Sequence, residues 1–404
     1  RMVMRNADAP GVNVAAKQRL RELKPLIRSE LAKEWIQETS LMPRYLMAAH
    51  RAWKGLPPKP QDLSDLSLDR IQAWLALLEK QKPGMEEPLY PWIQSASSDL
   101  AEEWGKLQSR YAEETRNRAA YNHEKFRPFG DLARDGFGGW YADGNASLDG
   151  PSPSGEFAVA NSGPTAITGV FPAGIYTHAL SERLDAALRS PLVPKDKKFL
   201  SLQVVGGRMG AWRTILDNCM LSEDYQLLDS DSPSWLKIPN RDDQPTLPFY
   251  VELVTKGSNP RIPDRPERLK VTQAQLDSPY SYFGIARAYL HDVDESPREE
   301  LSHLTPLFFG ASTASKGAPT SLEGPTSLEG PTSLEGPTRL EGLAERYASL
   351  IRRSLERWAA GKSTDDDARW IGWVLENRLV TNASSQTPRL QGLIADYRLA
   401  DSRI

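Results

Sequence analysis

The chain has 404 residues, and its 50 Lys and Arg side chains stand against 53 Asp and Glu side chains, for a net charge of -3. This length allows about two to four domains with a sizeable core, and the charge argues against a general nucleic-acid binder, because phosphate recognition needs a concentrated basic surface. The single cysteine, Cys219, excludes an internal disulfide and a Cys-rich zinc or haem-attachment site and is expected to be a small buried thiol; no apolar stretch approaches the ~20 residues that span a bilayer.

Residues 1–125 predict a helical region. Apolar residues recur there at three- and four-residue steps, as the buried face of a helix requires. Pro25 lies inside the first stripe and is expected to divide or kink that helix. The three stripes are Leu20, Leu23, Ile27, Leu31 and Trp35; Leu68, Ile71, Leu75 and Leu78; and Leu100, Trp104, Leu107 and Tyr111. Because single amphipathic helices are not stable in water, these must pack on something.

Residues 126–310 predict a β-sandwich module. Gly and Pro become frequent, and short alternating or β-branched runs replace the helical stripes. Such strands, separated by turn residues, favour an antiparallel sandwich over a βαβ sheet, which would need crossover helices. One helical exception is predicted at 179–188. The predicted strands are 156–160, 166–171, 199–205, 212–216, 249–254 and 282–290.

The remaining chain predicts a linker and a second helical region. A hexapeptide, Pro-Thr-Ser-Leu-Glu-Gly or its Arg variant, recurs four times over 319–342, so we interpret 311–342 as a flexible linker of no activity. Residues 343–404 carry a helical stripe from Leu343 to Trp358 and a capping box of Thr364 with Asp367. We expect this region to pack with the N-terminal helices. The predicted fold class is therefore an α+β multidomain chain with a jelly-roll-like antiparallel sandwich inserted between helical flanks.

The usual catalytic and metal-binding motifs are absent from the sequence. None of the five histidines has a helical metal-site spacing, so we predict no metal and no cofactor on this chain. The glycine-rich run at 205–210 lacks the ending of a phosphate-binding loop and is interpreted as a β-turn between two strands. The acidic run at 365–367 suits the first turn of a helix, where the dipole favours negative charge. A pair of catalytic carboxylates cannot be selected without geometry.

The β-region combines aromatic rings with arginines, and this combination predicts a ligand site. Planar rings stack on sugar faces, and guanidinium groups bind hydroxyls and acidic groups. Loops are expected to bring the site together at one end of the sandwich, and the arginines slightly favour an acidic over a neutral polysaccharide. The alternative is that the rings are core and the arginines solvate strand edges. The candidate ligand-binding residues are Trp140, Tyr141, His178, Arg189, Arg208, Trp212 and Arg213.

A family resemblance rests on segments 171–178, 188–191, 200–207 and 212–218, with 393–398 near the end. They resemble the central region of large planctomycete cytochrome c-associated proteins, in which a haem domain and domains of unknown function flank such a segment. The step Leu-Arg-Ser-Pro at 188–191, followed by a strand that ends in Gly-Gly, is also similar to galactose-binding-like jelly rolls of carbohydrate-active enzymes. The resemblance implies an exported bacterial protein, periplasmic or at the cell surface, with haem c only on flanking regions outside this chain.

Three functions are compatible with these observations. The leading hypothesis is a non-catalytic module that binds a polysaccharide on a helical scaffold within a larger exported haem-associated protein. The second is a structural spacer that docks neighbouring domains of the same protein. The third is a hydrolase or oxidoreductase with its site between the helical and β parts. A groove with exposed rings favours the first, a flat apolar face the second, and converging carboxylates in a cleft the third.

The start of the chain, Arg-Met-Val-Met without a signal peptide, suggests a fragment or processed piece.

Overall fold

The computed structural model describes residues 13–56, 65–80, 83–96, 100–130, 132–133, 135–146, 150–217, 225–240, 247–259, 270–309 and 336–404. The described chain confirms the predicted fold class at the level of its architecture: helical N- and C-terminal regions flank a middle region of antiparallel sheets. The hexapeptide linker, apart from its last residues from Gly336 onward, and Cys219 lie outside the described residues.

The described residues include ten α-helices. They are α1 Val14–Glu38, α2 Met42–Trp53, α3 Leu68–Leu78, α4 Tyr90–Ser95, α5 Leu100–Lys125, α6 Gln273–Asp277, α7 Thr305–Phe308, α8 Leu340–Ala359, α9 Asp365–Glu376 and α10 Pro388–Asp401. Contrary to one expectation, Pro25 does not divide α1. Leu23 and Ile27, on either side of it, are buried in the same core, so tertiary packing holds the helix together across the proline.

Helices from both ends of the chain share one hydrophobic core. α1 packs against α10 and α8, while α2 packs against α3 and α8. The predicted stripes provide most of this core, with Trp35, Trp104 and Trp358 among its largest buried side chains. The capping box of Thr364 and Asp367 forms at the start of α9 as predicted.

Twelve strands are described. They are β1 Arg127–Pro128, β2 Tyr141–Asp143, β3 Glu156–Val159, β4 Ile167–Phe171, β5 Ile175–Tyr176, β6 Ala187–Arg189, β7 Phe199–Gly207, β8 Ala211–Leu216, β9 Gln226–Leu227, β10 Ser230–Pro239, β11 Phe249–Val254 and β12 Tyr282–His291. One antiparallel sheet has the order β1-β12-β7-β10, with β5 also paired to β12, and a second has the order β2-β6-β11-β8-β9. Side chains from both sheets, including Leu202 and Leu253, meet in one apolar cluster, so the two sheets form a sandwich.

The hairpin of β3 and β4 packs on the helices with one set of side chains and on the sandwich, through Ala158 and Phe171, with another. Phe157, Ile167 and Val170 belong to the helical core, and β4 lies against α9. The hairpin thereby forms a wall between the two parts of the molecule. The turn at 207–210, predicted between two strands, joins β7 to β8, which lie in different sheets; Arg208 and Met209 have φ of 50° and 70° there.

Two of the differences from the sequence prediction concern segments that line the cleft described below. Segment 179–188 is not a helix: it consists of turns followed by β6, because Leu188 enters the sandwich core and β6 pairs with both β2 and β11. The strand β10 was not predicted, since it is rich in Ser and contains Pro233. Among the described strands it pairs with β7 alone, at a sheet edge, where proline and polar side chains are tolerated. Its register shifts between Ser230 and Ser234.

Candidate functional site

A cleft with two lobes lies between the helical body and the sandwich. The first lobe has a volume of about 330 Å³ and the second about 540 Å³, and they share the lining residues Val170, Ser232, Pro233, Gly372 and Glu376. One wall is therefore α9 with the hairpin strand β4, and the opposite wall is the irregular start of β10. A cleft at such a junction is where ligand sites are most often found.

A polar network built around Glu182 lines the second lobe. Arg208 Nε lies 3.0 Å from Glu182 Oε2, and Asn161 Nδ2 donates to the same oxygen at 2.9 Å. Burial raises the pKa of the Glu182 carboxyl, and the charge of Arg208 only partly opposes this. Arg208 reaches the lobe because the turn after β7 holds it at a positive φ.

Across the same lobe, Tyr282 connects a carboxylate with a histidine. The Tyr282 hydroxyl donates to Asp231 Oδ1 at 2.9 Å, and its ring centroid lies 4.4 Å from that of His178. His178 is only 4% exposed, and its Nδ1 has no hydrogen-bond partner among the described residues. Burial and the nearby charge of Lys24 lower the pKa of His178 to about 3, so the ring is neutral at pH 7.

The first lobe is dominated by carboxylates with two arginines between them. Arg369 contacts Glu299 and lies 3.2 Å from His303 Nδ1, while Asp366 accepts a hydrogen bond from Ser302 at 2.7 Å. Burial raises the pKa of Asp366, and burial together with Arg369 lowers the pKa of His303 to about 3. Half-buried Trp373 also lines this lobe, as does Glu376.

Glu376 stands where the two lobes meet. It is the last residue of α9 and is exposed to the cleft. No described residue forms an ion pair or hydrogen bond with its side chain, and the surrounding walls desolvate the carboxyl and raise its pKa. A carboxylate at a helix C-terminus also opposes the helix dipole, so the fold places a destabilising charge there without a structural partner.

Two of the seven predicted site residues, His178 and Arg208, lie in this cleft. Three others form a cross-strand row on the second sheet: Tyr141 lies opposite Arg189, and Glu252 lies between Arg189 and Arg213. Arg189 Nε donates to Glu252 Oε1 at 2.7 Å, and Arg213 Nε donates to Oε2 at 2.6 Å. The arginines of this row are therefore already engaged, although Tyr141 is 41% exposed.

The two predicted tryptophans are positioned in or against the sandwich core. Trp140 is 3% exposed, and its Nε1 donates to the Phe129 carbonyl at 2.9 Å, so it lacks the open face that stacking on a sugar requires. Trp212 packs partly buried against the same core. The structure thus separates the seven residues into a cleft pair, a sheet row and core positions instead of one cluster.

The sequence reasoning missed Glu182, Asp231, Tyr282 and Glu376. They lie far apart along the chain, and only the docking of the helices on the sandwich brings them to one cleft. One signal was present for Glu376: an acidic residue in the last turn of a predicted helix, where cations are preferred.

Within the described residues, no group of three or more His, Cys, Asp or Glu side chains is arranged to hold a metal ion. None of the described helices combines the length and apolar character needed to cross a membrane. Comparison with known proteins finds no matching family model, no matching curated protein and no matching solved structure.

Proposed function

We propose that this chain binds a carbohydrate in the cleft between the helical body and the sandwich. The observation that carries the proposal is the Glu182, Arg208 and Asn161 network in the second lobe. Carboxylate, guanidinium and amide groups held together in a cleft offer acceptors and donors in fixed directions, which is what hydroxyl recognition requires.

The first lobe adds an aromatic surface to these polar groups. Trp373 is half-buried, held edge-on by Trp74 and Trp370 at centroid distances of 5.8 and 5.6 Å. A fixed ring beside hydrogen-bonding groups suits a pyranose, whose faces are apolar and whose rim is polar. The site we propose is thus in the cleft rather than at Trp140. Membership of the planctomycete cytochrome c-associated family and export from the cell remain predictions from the resemblance.

A hydrolase is the second candidate, and Glu376 is the observation that favours it. A carboxyl with a raised pKa in a cleft with other carboxyls is a common general acid. The spacer hypothesis has less support, because the large exposed apolar residues come from separate segments, such as Val14, Leu56, Leu192 and Leu399.

The test is calorimetric titration of the full chain with a panel of oligosaccharides, comparing Arg208→Asn with Arg378→Asn. Both arginines are exposed and have a positive φ, 50° and 55°, which asparagine tolerates well, but only Arg208 lines the cleft. We expect wild type and Arg378→Asn to bind alike and Arg208→Asn to bind about tenfold or more weakly, as loss of a charged hydrogen bond predicts. Absence of binding by folded wild type to the whole panel would contradict the proposal. Release of reducing ends during the titration would favour the hydrolase.

A further inference from the structure

We infer that the second lobe selects glycans that carry a protonated amine, with Glu376 as the counter-charge of the ammonium group; this inference rests on the proposed carbohydrate site. It names the substrate class of that site. The amine is expected where the two lobes meet, with the sugar hydroxyls directed toward Glu182 and Asp231.

The second lobe leaves one carboxylate without a donor. Several of its described donors are engaged within the protein: Arg208 Nε and Asn161 bind Glu182, Tyr282 donates to Asp231, and the Asn382 amide donates to the Ile167 carbonyl at 2.8 Å. The carboxylate of Glu376, by contrast, accepts from no described donor. A ligand hydroxyl or ammonium group placed there supplies the missing donor.

His178 provides a second, independent observation. Its ring interacts with the backbone of Phe283, and Nδ1 is the nitrogen left without a partner although the residue is 96% buried, being 4% exposed. In a neutral imidazole that donates through Nε2, Nδ1 is an acceptor. A buried acceptor without a donor is costly, and the His178 side chain lines the same lobe as Glu376. The wall of the lobe therefore contains a second acceptor that no described donor satisfies in the free protein.

The charge of the cleft separates an amine-bearing glycan from a neutral or acidic one. Nine carboxylates line the two lobes against three arginines, Arg208, Arg287 and Arg369. Two further cations that do not line the cleft, Lys80 and Arg118, pair with Glu87 and Glu86. Carboxylates still outnumber cations when these two are counted. Such a cleft attracts cations and repels uronic acids and sulfates, the opposite of the preference that the arginines alone suggested. The nine carboxylates are Glu86, Glu87, Glu182, Asp231, Glu299, Glu300, Asp365, Asp366 and Glu376.

The experiment compares oligomers of glucosamine, of N-acetylglucosamine and of a uronic acid on the full chain, at a pH that keeps the amine protonated. We expect the glucosamine oligomer to bind wild type about ten- to hundredfold more tightly than its acetylated counterpart, the range for a hydrogen bond between charged groups. Glu376→Gln should remove this preference, so that the amino and acetylated oligomers bind the variant with similar affinity. Glu113→Gln is the control, because Glu113 is an exposed helical carboxylate outside the cleft.

The outcomes distinguish this inference from the proposed function. Equal binding of the amino and acetylated oligomers, unaffected by Glu376→Gln, would overturn the inference and leave the carbohydrate site standing. No binding of any oligomer would overturn both. A linear polyamine that binds as tightly as the amino sugar would show a general cation site and would also overturn the inference. Asp231→Asn, which keeps an acceptor for Tyr282, gives a second variant and should weaken both oligomers alike.

Discussion

Trp35 of α1 and Trp358 of α8 stack with their ring centroids 5.3 Å apart and their planes 11° from parallel. Each indole also donates a hydrogen bond, from Trp35 Nε1 to the Thr381 carbonyl at 2.7 Å and from Trp358 Nε1 to the Gly155 carbonyl at 2.8 Å. Gly155 directly precedes the β3–β4 hairpin. One aromatic pair therefore joins the N-terminal helices, the C-terminal helices and the wall of the cleft.

We expect Trp358→Ala to lower the free energy of unfolding by about 3–5 kcal/mol, the usual cost of truncating a fully buried aromatic residue. The variant also leaves the Gly155 carbonyl without its donor. Urea denaturation followed by circular dichroism measures the loss. Trp53→Ala is the control: Trp53 is only half-buried on α2, so a smaller loss is expected. If the two variants lost similar free energies of unfolding, the stacked tryptophan pair would contribute no more to stability than a half-buried tryptophan does.

Lys24 makes the second connection between α1 and the hairpin. Its ammonium contacts Glu156 and the Ala179 carbonyl and donates to the Phe157 carbonyl at 2.8 Å. Burial lowers the pKa of Lys24, but Glu156 opposes the shift. We expect Lys24→Met to destabilise the protein by about 2–4 kcal/mol, because it leaves the Glu156 carboxylate, whose side chain is only 17% exposed, without its ion-pair partner.

The double variant Lys24→Met/Glu156→Gln is the control for this prediction. It removes both charges, so denaturant unfolding should show that it recovers part of the stability lost in Lys24→Met. If the double variant were less stable than Lys24→Met, the loss would come from packing of the lysine stem rather than from an unpaired charge.

Helical stripes such as Leu20 to Trp35 were predictable because a buried helix face repeats every three to four residues, and local sequence is enough to show it. The edge strand β10 was not predictable in that way, since Ile238 is its one fully buried side chain and the exposed and half-buried side chains of the rest show no regular alternation. The cleft depends on long-range packing: Glu182, Asp231 and Glu376 have ordinary local contexts. Arg208 was selected because arginines and aromatic rings are interleaved along the β-region, and the same criterion selected Trp140, since a core tryptophan and a sugar-stacking tryptophan have similar sequence surroundings.

The hydrogen bonds of Asp367 are expected to make the stability of the fold decrease in acid. Its carboxylate accepts hydrogen bonds from the Thr364 amide at 2.9 Å and from Arg357 Nε at 2.7 Å. Burial alone would raise its pKa, but these bonds outweigh burial and lower it. A lowered carboxyl pKa stabilises the fold at neutral pH, and the contribution is lost as pH falls from the ordinary value of about 3.9 through the lowered value.

We therefore expect Asp367→Asn to be less stable than wild type by about 1–2 kcal/mol at pH 7, because Arg357 is exposed and the loss is that of a helix cap and a charge-assisted hydrogen bond. The difference should shrink as pH falls below about 4, because Asp367 is protonated first in the unfolded chain and, at lower pH, in the folded protein. Thermal unfolding of both proteins across this pH range measures the difference in stability. Carboxyls with a raised pKa, such as Asp366, contribute with the opposite sign, but they are present in both proteins and so cancel in the difference. A gap that stays constant with pH would show that the loss does not depend on the charge.

For Glu376 we expect the charged carboxylate to lower the stability of the fold at neutral pH, the opposite of the effect expected for Asp367. Desolvation raises the pKa of its carboxyl, so the charged form costs stability at neutral pH, and the cost disappears as pH falls through the raised pKa toward the ordinary glutamate value of about 4.3. Glu376→Gln removes both this cost and the unfavourable interaction with the C-terminus of α9. We expect the variant to be more stable than wild type at pH 7 by about 0.3–1 kcal/mol, the range for a helix-dipole interaction.

The gain should be present in thermal unfolding at pH 7 and absent near pH 4, while Glu113→Gln, on the exposed face of α5, should change stability at neither pH. A residue that destabilises the free protein and yet is required for selective binding is expected at a ligand site, where function and stability compete. If Glu376→Gln instead lowered the stability of the free protein, its carboxylate would have a structural role. The preference for an amine-bearing ligand would then need a different residue as its origin.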